Sequence, residues 1–244
     1  MASSKIQLVF GGCGGMYNYV LGISSVLQKK FDLSNCIFTG VSAGCIPAMM
    51  LALGEDIETK FKTWNLPFLR EINKRPFGAL CVWNDEVKRV TLENLPDDAY
   101  QRLSDRLFIS LSRIPYPYSF NERNNATLYP NVGLKNEIVS KFHSNQDLVD
   151  AVIASSFVPF FDKKLAYKFR DNYYVDGSLT NYRPIPLPVE TNPVIDIRRD
   201  KWRKNHTSWL YCWSHENWVN LIYNWGKTDA EENISYFDRL TPKT

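Results

Sequence analysis

The chain has 244 residues, 44% of them hydrophobic, which is enough to bury one substantial core, and it is expected to form a single domain over 1–244. Its 29 Lys and Arg against 26 Asp and Glu leave a net charge of +3, too mild a balance for wholesale nucleic-acid binding. The five cysteines are odd in number, and Cys13, Cys36 and Cys45 fall in or beside apolar and glycine-rich stretches, with no CxxC pair or Cys/His cluster, which argues against a disulfide framework and against zinc.

The first predicted strand, Lys5 to Phe10, begins too near the initiator methionine to leave room for a secretory signal. No stretch reaches the roughly 20 apolar residues of a membrane span. Ala2 rules out N-myristoylation, and the terminal Thr-Pro-Lys-Thr is no prenylation box. The expectation is an intracellular chain, soluble or peripherally membrane-associated.

Ile6, Leu8, Val9 and Phe10 read as a buried strand that ends in the cluster Gly11-Gly12-Cys13-Gly14-Gly15. Met16, Val20, Ile23, Leu27 and Phe31 recur at helical spacing and predict a helix from Met16 to Lys30. A strand from Cys36 to Thr39 follows, then the pentad Gly40-Val41-Ser42-Ala43-Gly44 and an apolar helix through Ala52. This order predicts a right-handed crossover between two parallel strands, so that both special loops open at one edge of the sheet. Glu55–Trp64 and Asp85–Leu103 read as interrupted helices, punctuated by Pro67, Pro76 and Pro96. Arg106–Arg113 alternates as a strand does, Leu134–Ala154 has helical periodicity, and Tyr173–Val175 is a short strand stopped by Asp176-Gly177. Pro184, Pro186, Pro188 and Pro193 make 183–193 an extended loop before a strand at Val194–Ile197, and 205–240 reads as a helical segment.

Gly-x-Ser-x-Gly between a strand and a helix places its serine on a sharp, strained turn, with glycines clearing the backbone on either side. The glycine cluster at the end of the neighbouring strand can aim several backbone N–H groups at one spot, a nest suited to an oxyanion or a phosphate. A dinucleotide fingerprint is the weaker reading, because Tyr17 stands where GxGxxG needs its third glycine. The order Ser42, Asp176, then His206 or His215 also fits an α/β-hydrolase triad. Only 25 positions separate Gly15 from Gly40, however, which is too few for that fold, and His143, His206 and His215 all lie in polar settings.

The glycine loop "FGGCGG", the pentad "GVSAG", the run "ASSFVPFF" (154 to 161) and "YVDGSLTNYRP" (174 to 184) occur in the order found in patatin-like phospholipases, which the chain resembles over roughly residues 5 to 190. The glycine loop is most similar to the branch containing adipose triglyceride lipase. The resemblance implies a three-layer α/β/α fold with a largely parallel central sheet. It also implies a lipid acyl hydrolase with Ser42 as nucleophile, Asp176 as its proton acceptor and an oxyanion hole at Gly12, Cys13 and Gly14. Neither metal nor organic cofactor is implied, and the partner is a glycerolipid or phospholipid. Ser178 and Tyr17 depart from the family's usual small residues, and Met16 from a frequent basic one.

Acyl transfer on the same site, esterase action on soluble esters and a non-enzymatic lipid-binding role are the alternatives. Lipid-surface contact is expected through Arg198, Arg199, Lys201, Arg203 and Lys204, a run too dense in charge to be buried, with Trp209, Trp213, Trp218 and Trp225 beyond it. Trp218, Ile222 and Trp225 also have the spacing of a helix packed on the domain.

Overall fold

The computed structural model describes residues 5–75, 78, 80–115, 133–159, 161, 164–181, 193–202 and 215–243. In chain order, β1 (Ile6–Phe10) leads through a 3₁₀ turn (Gly14–Met16) into α1 (Tyr17–Lys30), β2 (Phe31–Asp32) and β3 (Cys36–Val41). A second 3₁₀ turn (Ser42–Gly44) opens α2 (Cys45–Leu53), which is followed by α3 (Ile57–Lys60), a π turn (Phe61–Asn65), α4 (Leu66–Asn73), α5 (Trp83–Asn94) and α6 (Ala99–Leu103). The rest comprises β4 (Leu107–Ile114), β5 (Lys135–Val139), α7 (Asn145–Ser155), β6 (Tyr167–Phe169), β7 (Asn172–Val175), α8 (Ser178–Asn181), β8 (Val194–Ile197), α9 (Glu216–Glu232) and β9 (Thr241–Pro242).

The central sheet runs β6-β7-β4-β3-β1-β8, with β5 also on β4. β8, β1, β3 and β4 pair in parallel, while β5, β6 and β7 join by antiparallel pairs. Strands of the parallel part are apolar along most of their length, as covering on both faces requires: β3 is buried at every position and β1 at four of five. The register Phe10↔Gly40 brings the ends of β1 and β3 level, so the glycine cluster and the pentad meet at one edge.

One expected helix begins too early. Leu134–Lys141 do not extend α7; residues 135–139 form β5, with Ile109↔Val139 at one end of its register on β4. Leu134 and Ile138 have the helical spacing of four, but backbone pairing with the long β4 decides the outcome, and Ser144 then starts α7 by accepting the Asp147 N–H. The π turn lets Pro67 enter at the start of α4, and Pro96 separates α5 from α6. The expectations for Pro76, for 183–192 and for 203–214 lie outside the described residues.

The C-terminal α9 is built into the core. It lies against α1, where Cβ atoms at Gly22 and Gly226 would come within 2.0 Å of the Tyr223 carbonyl and 1.9 Å of the Tyr19 carbonyl. Close approach of the two backbones also brings the buried Tyr19 hydroxyl to Asp229 Oδ2 at 2.7 Å and stacks Tyr223 on Phe61. Ile222 is fully buried and Trp225 partly so, whereas Trp218 is half exposed. Gly226→Ala is expected to lower stability by about 1–3 kcal/mol, because the methyl meets backbone that cannot yield. Urea unfolding at a fixed pH checks this, and an unchanged midpoint would contradict it.

The described part of the basic run, Arg198 to Lys201, is less solvated than its charge density suggests. Arg198 Nε lies 2.7 Å from Asp196 Oδ2, Lys201 Nζ sits 3.8 Å above the Tyr236 ring, and Arg198, Arg199 and Lys201 are all half-buried. Pairing and cation–π contact with neighbours on β8 and after α9 fold these charges onto the domain. Among the described residues no helix is long and apolar enough to cross a membrane.

Candidate active site

Ser42 occupies the turn between β3 and α2 with φ +54°, a left-handed backbone that a non-glycine residue adopts only under constraint. The flanking glycines make the turn possible. A Cβ at Gly40 would lie 2.6 Å from Cys45 Cα, and one at Gly44 would lie 2.5 Å from the Gly11 carbonyl. The Ser42 N–H donates to Ser155 Oγ at 2.8 Å, which leaves the side chain to turn the other way. Its hydroxyl donates to Asp176 Oδ2 at 2.6 Å, joining residues 134 positions apart.

Asp176 leaves the end of β7, where its N–H bonds the Phe157 carbonyl at 2.8 Å and its carbonyl accepts the Ser112 hydroxyl at 2.8 Å. The second carboxylate oxygen accepts the Ser178 N–H at 2.8 Å. Burial pushes the Asp176 carboxyl above its ordinary range, against the opposing pull of the hydrogen bonds from Ser42 and Ser178. The carboxylate is thus a stronger base than one in water, while its two donors hold it in one orientation.

The glycine loop closes the site from the β1 side. Gly14 has φ +50°, and a Cβ at Gly12 would lie 2.2 Å from Ser178 Oγ and 3.5 Å from Ser42 Cβ. Gly11 N–H is taken by the Ile197 carbonyl and Met16 N–H by the Cys13 carbonyl. Among the described residues the N–H groups of Gly12, Cys13 and Gly14 have no acceptor. Tyr17 leaves this loop undisturbed, because its hydroxyl runs instead to Asn65 Oδ1 at 2.6 Å.

Cys13 and Cys45 are buried beside the Ser42–Asp176 pair, and burial raises both thiols, Cys45 to about 12, so they stay protonated at neutral pH. The described histidines stand apart: His143 is exposed, and His215 is exposed where it caps α9. His206 lies outside the described residues. No group of three or more His, Cys, Asp or Glu able to hold a metal occurs among the described residues. Two residues at the site carry no spacing signal in the sequence, Ser155 beneath the turn and Ser178 against the carboxylate. Only their place inside the quoted runs marks them.

The Asp176 carboxyl has a sign consequence for stability. Because its folded value lies above its unfolded value, the stability it contributes is complete below the ordinary aspartate range and is lost as pH rises through the raised value. Wild type should therefore lose unfolding free energy relative to Asp176→Asn across that window, measured by urea unfolding at several pH values. A difference that is flat or grows with pH would contradict the assignment.

A strained serine at a strand-to-helix turn, a glycine loop at the same sheet edge and a half-buried aspartate reached across β4 define a three-layer α/β protein with its candidate site at one edge of the sheet. The chain belongs to the patatin-like phospholipase family, whose model matches residues 8–189. Human "Patatin-like phospholipase domain-containing protein 4" is 31% identical over 75% of this chain and 68% of its own length. Mouse "1-acylglycerol-3-phosphate O-acyltransferase Pnpla3" is 30% identical over 73% of this chain, which spans only 40% of that protein. Among solved structures, VipD from Legionella pneumophila covers 81% of this chain and 50% of its own, at 14% identity and a TM-score of 0.48.

Proposed function

We propose that the chain is a serine acyl hydrolase that cleaves carboxylic esters of glycerolipids or phospholipids through a Ser42–Asp176 dyad, with residues 1–244 acting as one patatin-like domain. The observation that carries this reading is the 2.6 Å hydrogen bond from the Ser42 hydroxyl, on its left-handed turn, to a carboxylate whose basicity burial has raised. Ser42 Oγ attacks the ester carbonyl carbon as its proton passes to Asp176. The oxyanion that forms is held by the N–H groups of Gly12, Cys13 and Gly14. Collapse expels the alcohol, which takes the proton back from Asp176. Water, deprotonated by Asp176, then attacks the acyl-enzyme, and the carboxylic acid leaves as Ser42 regains its proton.

A second reading sends the same acyl-enzyme to an acceptor alcohol, and it is favoured by the acyltransferase name of the mouse relative. A panel of phospholipid, galactolipid and neutral glycerolipid esters, assayed with and without an added alcohol, separates the two. Free fatty acid as the sole product supports hydrolysis, a new ester supports transfer, and equal product from Ser42→Ala would contradict both. Lipid-surface contact through the half-exposed Trp218 and the basic residues after β8 completes the proposal. Sedimentation with anionic liposomes should weaken with added salt, and absence of binding at low salt would remove this part.

A further inference from the structure

The end of α7 and the two residues after it touch the backbone of both residues that the proposed dyad brings together. Ser155 is fully buried, and its hydroxyl has three partners. It accepts the Ser42 N–H at 2.8 Å and the Cys45 thiol at 3.5 Å, and it donates to the Ser110 carbonyl on β4 at 2.7 Å. Its own carbonyl accepts the Gly177 N–H at 2.7 Å, and the Phe157 carbonyl accepts the Asp176 N–H at 2.8 Å. Nothing larger than hydrogen fits at Gly177, whose Cβ would lie 2.3 Å from the Ser110 carbonyl and 3.1 Å from Ser155 Oγ. One short stretch therefore grips the turn before α2 through a side chain and the turn after β7 through main-chain carbonyls.

We propose that Ser155 is a positioning residue for the reaction: its hydroxyl holds Ser42 in the left-handed backbone, and the same helix end holds Asp176 in register, so that hydroxyl and carboxylate stay within hydrogen-bond reach. This rests on the reading of Ser42 and Asp176 as the reacting pair. A left-handed serine reverts toward ordinary backbone when nothing secures its N–H. Without the Ser155 hydroxyl, the Ser42 N–H and the Ser110 carbonyl both lose the partner it supplies, and rotation of the Ser42 turn carries Oγ away from Asp176. A displacement of about 1 Å at reacting atoms costs on the order of 10²-fold in rate.

The neighbouring Ser156 provides the contrast. Its hydroxyl bonds the Val152 carbonyl of its own helix at 3.0 Å and reaches neither turn. The experiment compares the full chain with Ser155→Ala, Ser156→Ala and Ser42→Ala on a short soluble ester, with thermal unfolding alongside. Ser155→Ala should lower kcat by about 10²-fold with KM changed by less than about twofold. Ser156→Ala should match wild type.

The pH profile supplies the readout that a merely structural role would not move. The Ser42 hydroxyl stabilises the ionised Asp176, so weakening that bond raises the carboxyl further and shifts the acid limb of kcat/KM to higher pH. The titratable groups facing this carboxylate are the thiols of Cys13 and Cys45, with Arg199 acting on Cys13, and the raised thiols stay neutral across the acid limb. If Ser155→Ala does not fold, Ser155→Cys keeps a small polar side chain but holds the amide weakly, and the same split and shift are expected of it.

A folded Ser155→Ala or Ser155→Cys protein with wild-type kcat overturns the proposal. So does a fall in activity with an unmoved acid limb. Either result alongside an inactive Ser42→Ala leaves the dyad standing and removes only the role of Ser155, whereas an active Ser42→Ala removes the dyad itself.

Discussion

Ser42→Ala and Asp176→Asn are each expected to lower kcat by about 10⁴-fold or more, with the double substitution scarcely worse than either single one, because in the proposed mechanism the two side chains act as a unit. The hydroxyl is useful only while a base can take its proton, and the carboxylate only while a nucleophile stands 2.6 Å away. The amide introduced by Asp176→Asn keeps the side chain's volume and one acceptor oxygen, so a folded, inactive protein with that change separates loss of the base from loss of the site. Replacing His143 or His215 should leave the rate unchanged, since both are exposed. Steady-state rates on a soluble ester for the two singles and the double give the comparison, and losses that multiply would show that the residues work independently.

Gly14→Val is expected to reduce kcat by about 10²–10³-fold while leaving KM nearly unaltered. Gly14 has φ +50°, where a branched side chain is strained, and the neighbouring N–H groups of Gly12 and Cys13 have no acceptor among the described residues. In the proposed mechanism, relief of that strain turns the amides away from the point where negative charge develops in the transition state. Because ground-state ester makes weaker use of those donors, turnover suffers more than binding does. A thermal melt that confirms folding, together with an unchanged kcat, would show the loop to be a packing device.

Much of the site is legible in the sequence, because its parts are local turns with their own chemistry. The strain at Ser42 follows from Gly-x-Ser-x-Gly between strand and helix, and the left-handed turn at Gly14 from a glycine run after an apolar strand. Asp176 alone is an ordinary Asp-Gly turn; only its place after three ordered motifs singles it out. What escapes the sequence is made by tertiary contact. Residues 135–139 carry helical spacing yet pair with β4, because a strand edge offers backbone partners that periodicity does not reveal. The close approach of α1 and α9 at Gly22 and Gly226 is likewise made by contact between distant segments. Ser155 is one of two adjacent serines, and nothing local distinguishes the hydroxyl that reaches the Ser42 N–H from the one that bonds its own helix.

The central claim is that Ser42 is a nucleophile activated by Asp176, and covalent labelling with a fluorophosphonate tests it most directly. Mass spectrometry of the digested protein should find a single adduct, on the peptide carrying Ser42. The adduct should be absent from Ser42→Ala and should form far more slowly in Asp176→Asn, whose amide cannot accept the proton. An adduct on another residue, or labelling of Asp176→Asn at the wild-type rate, would contradict the account.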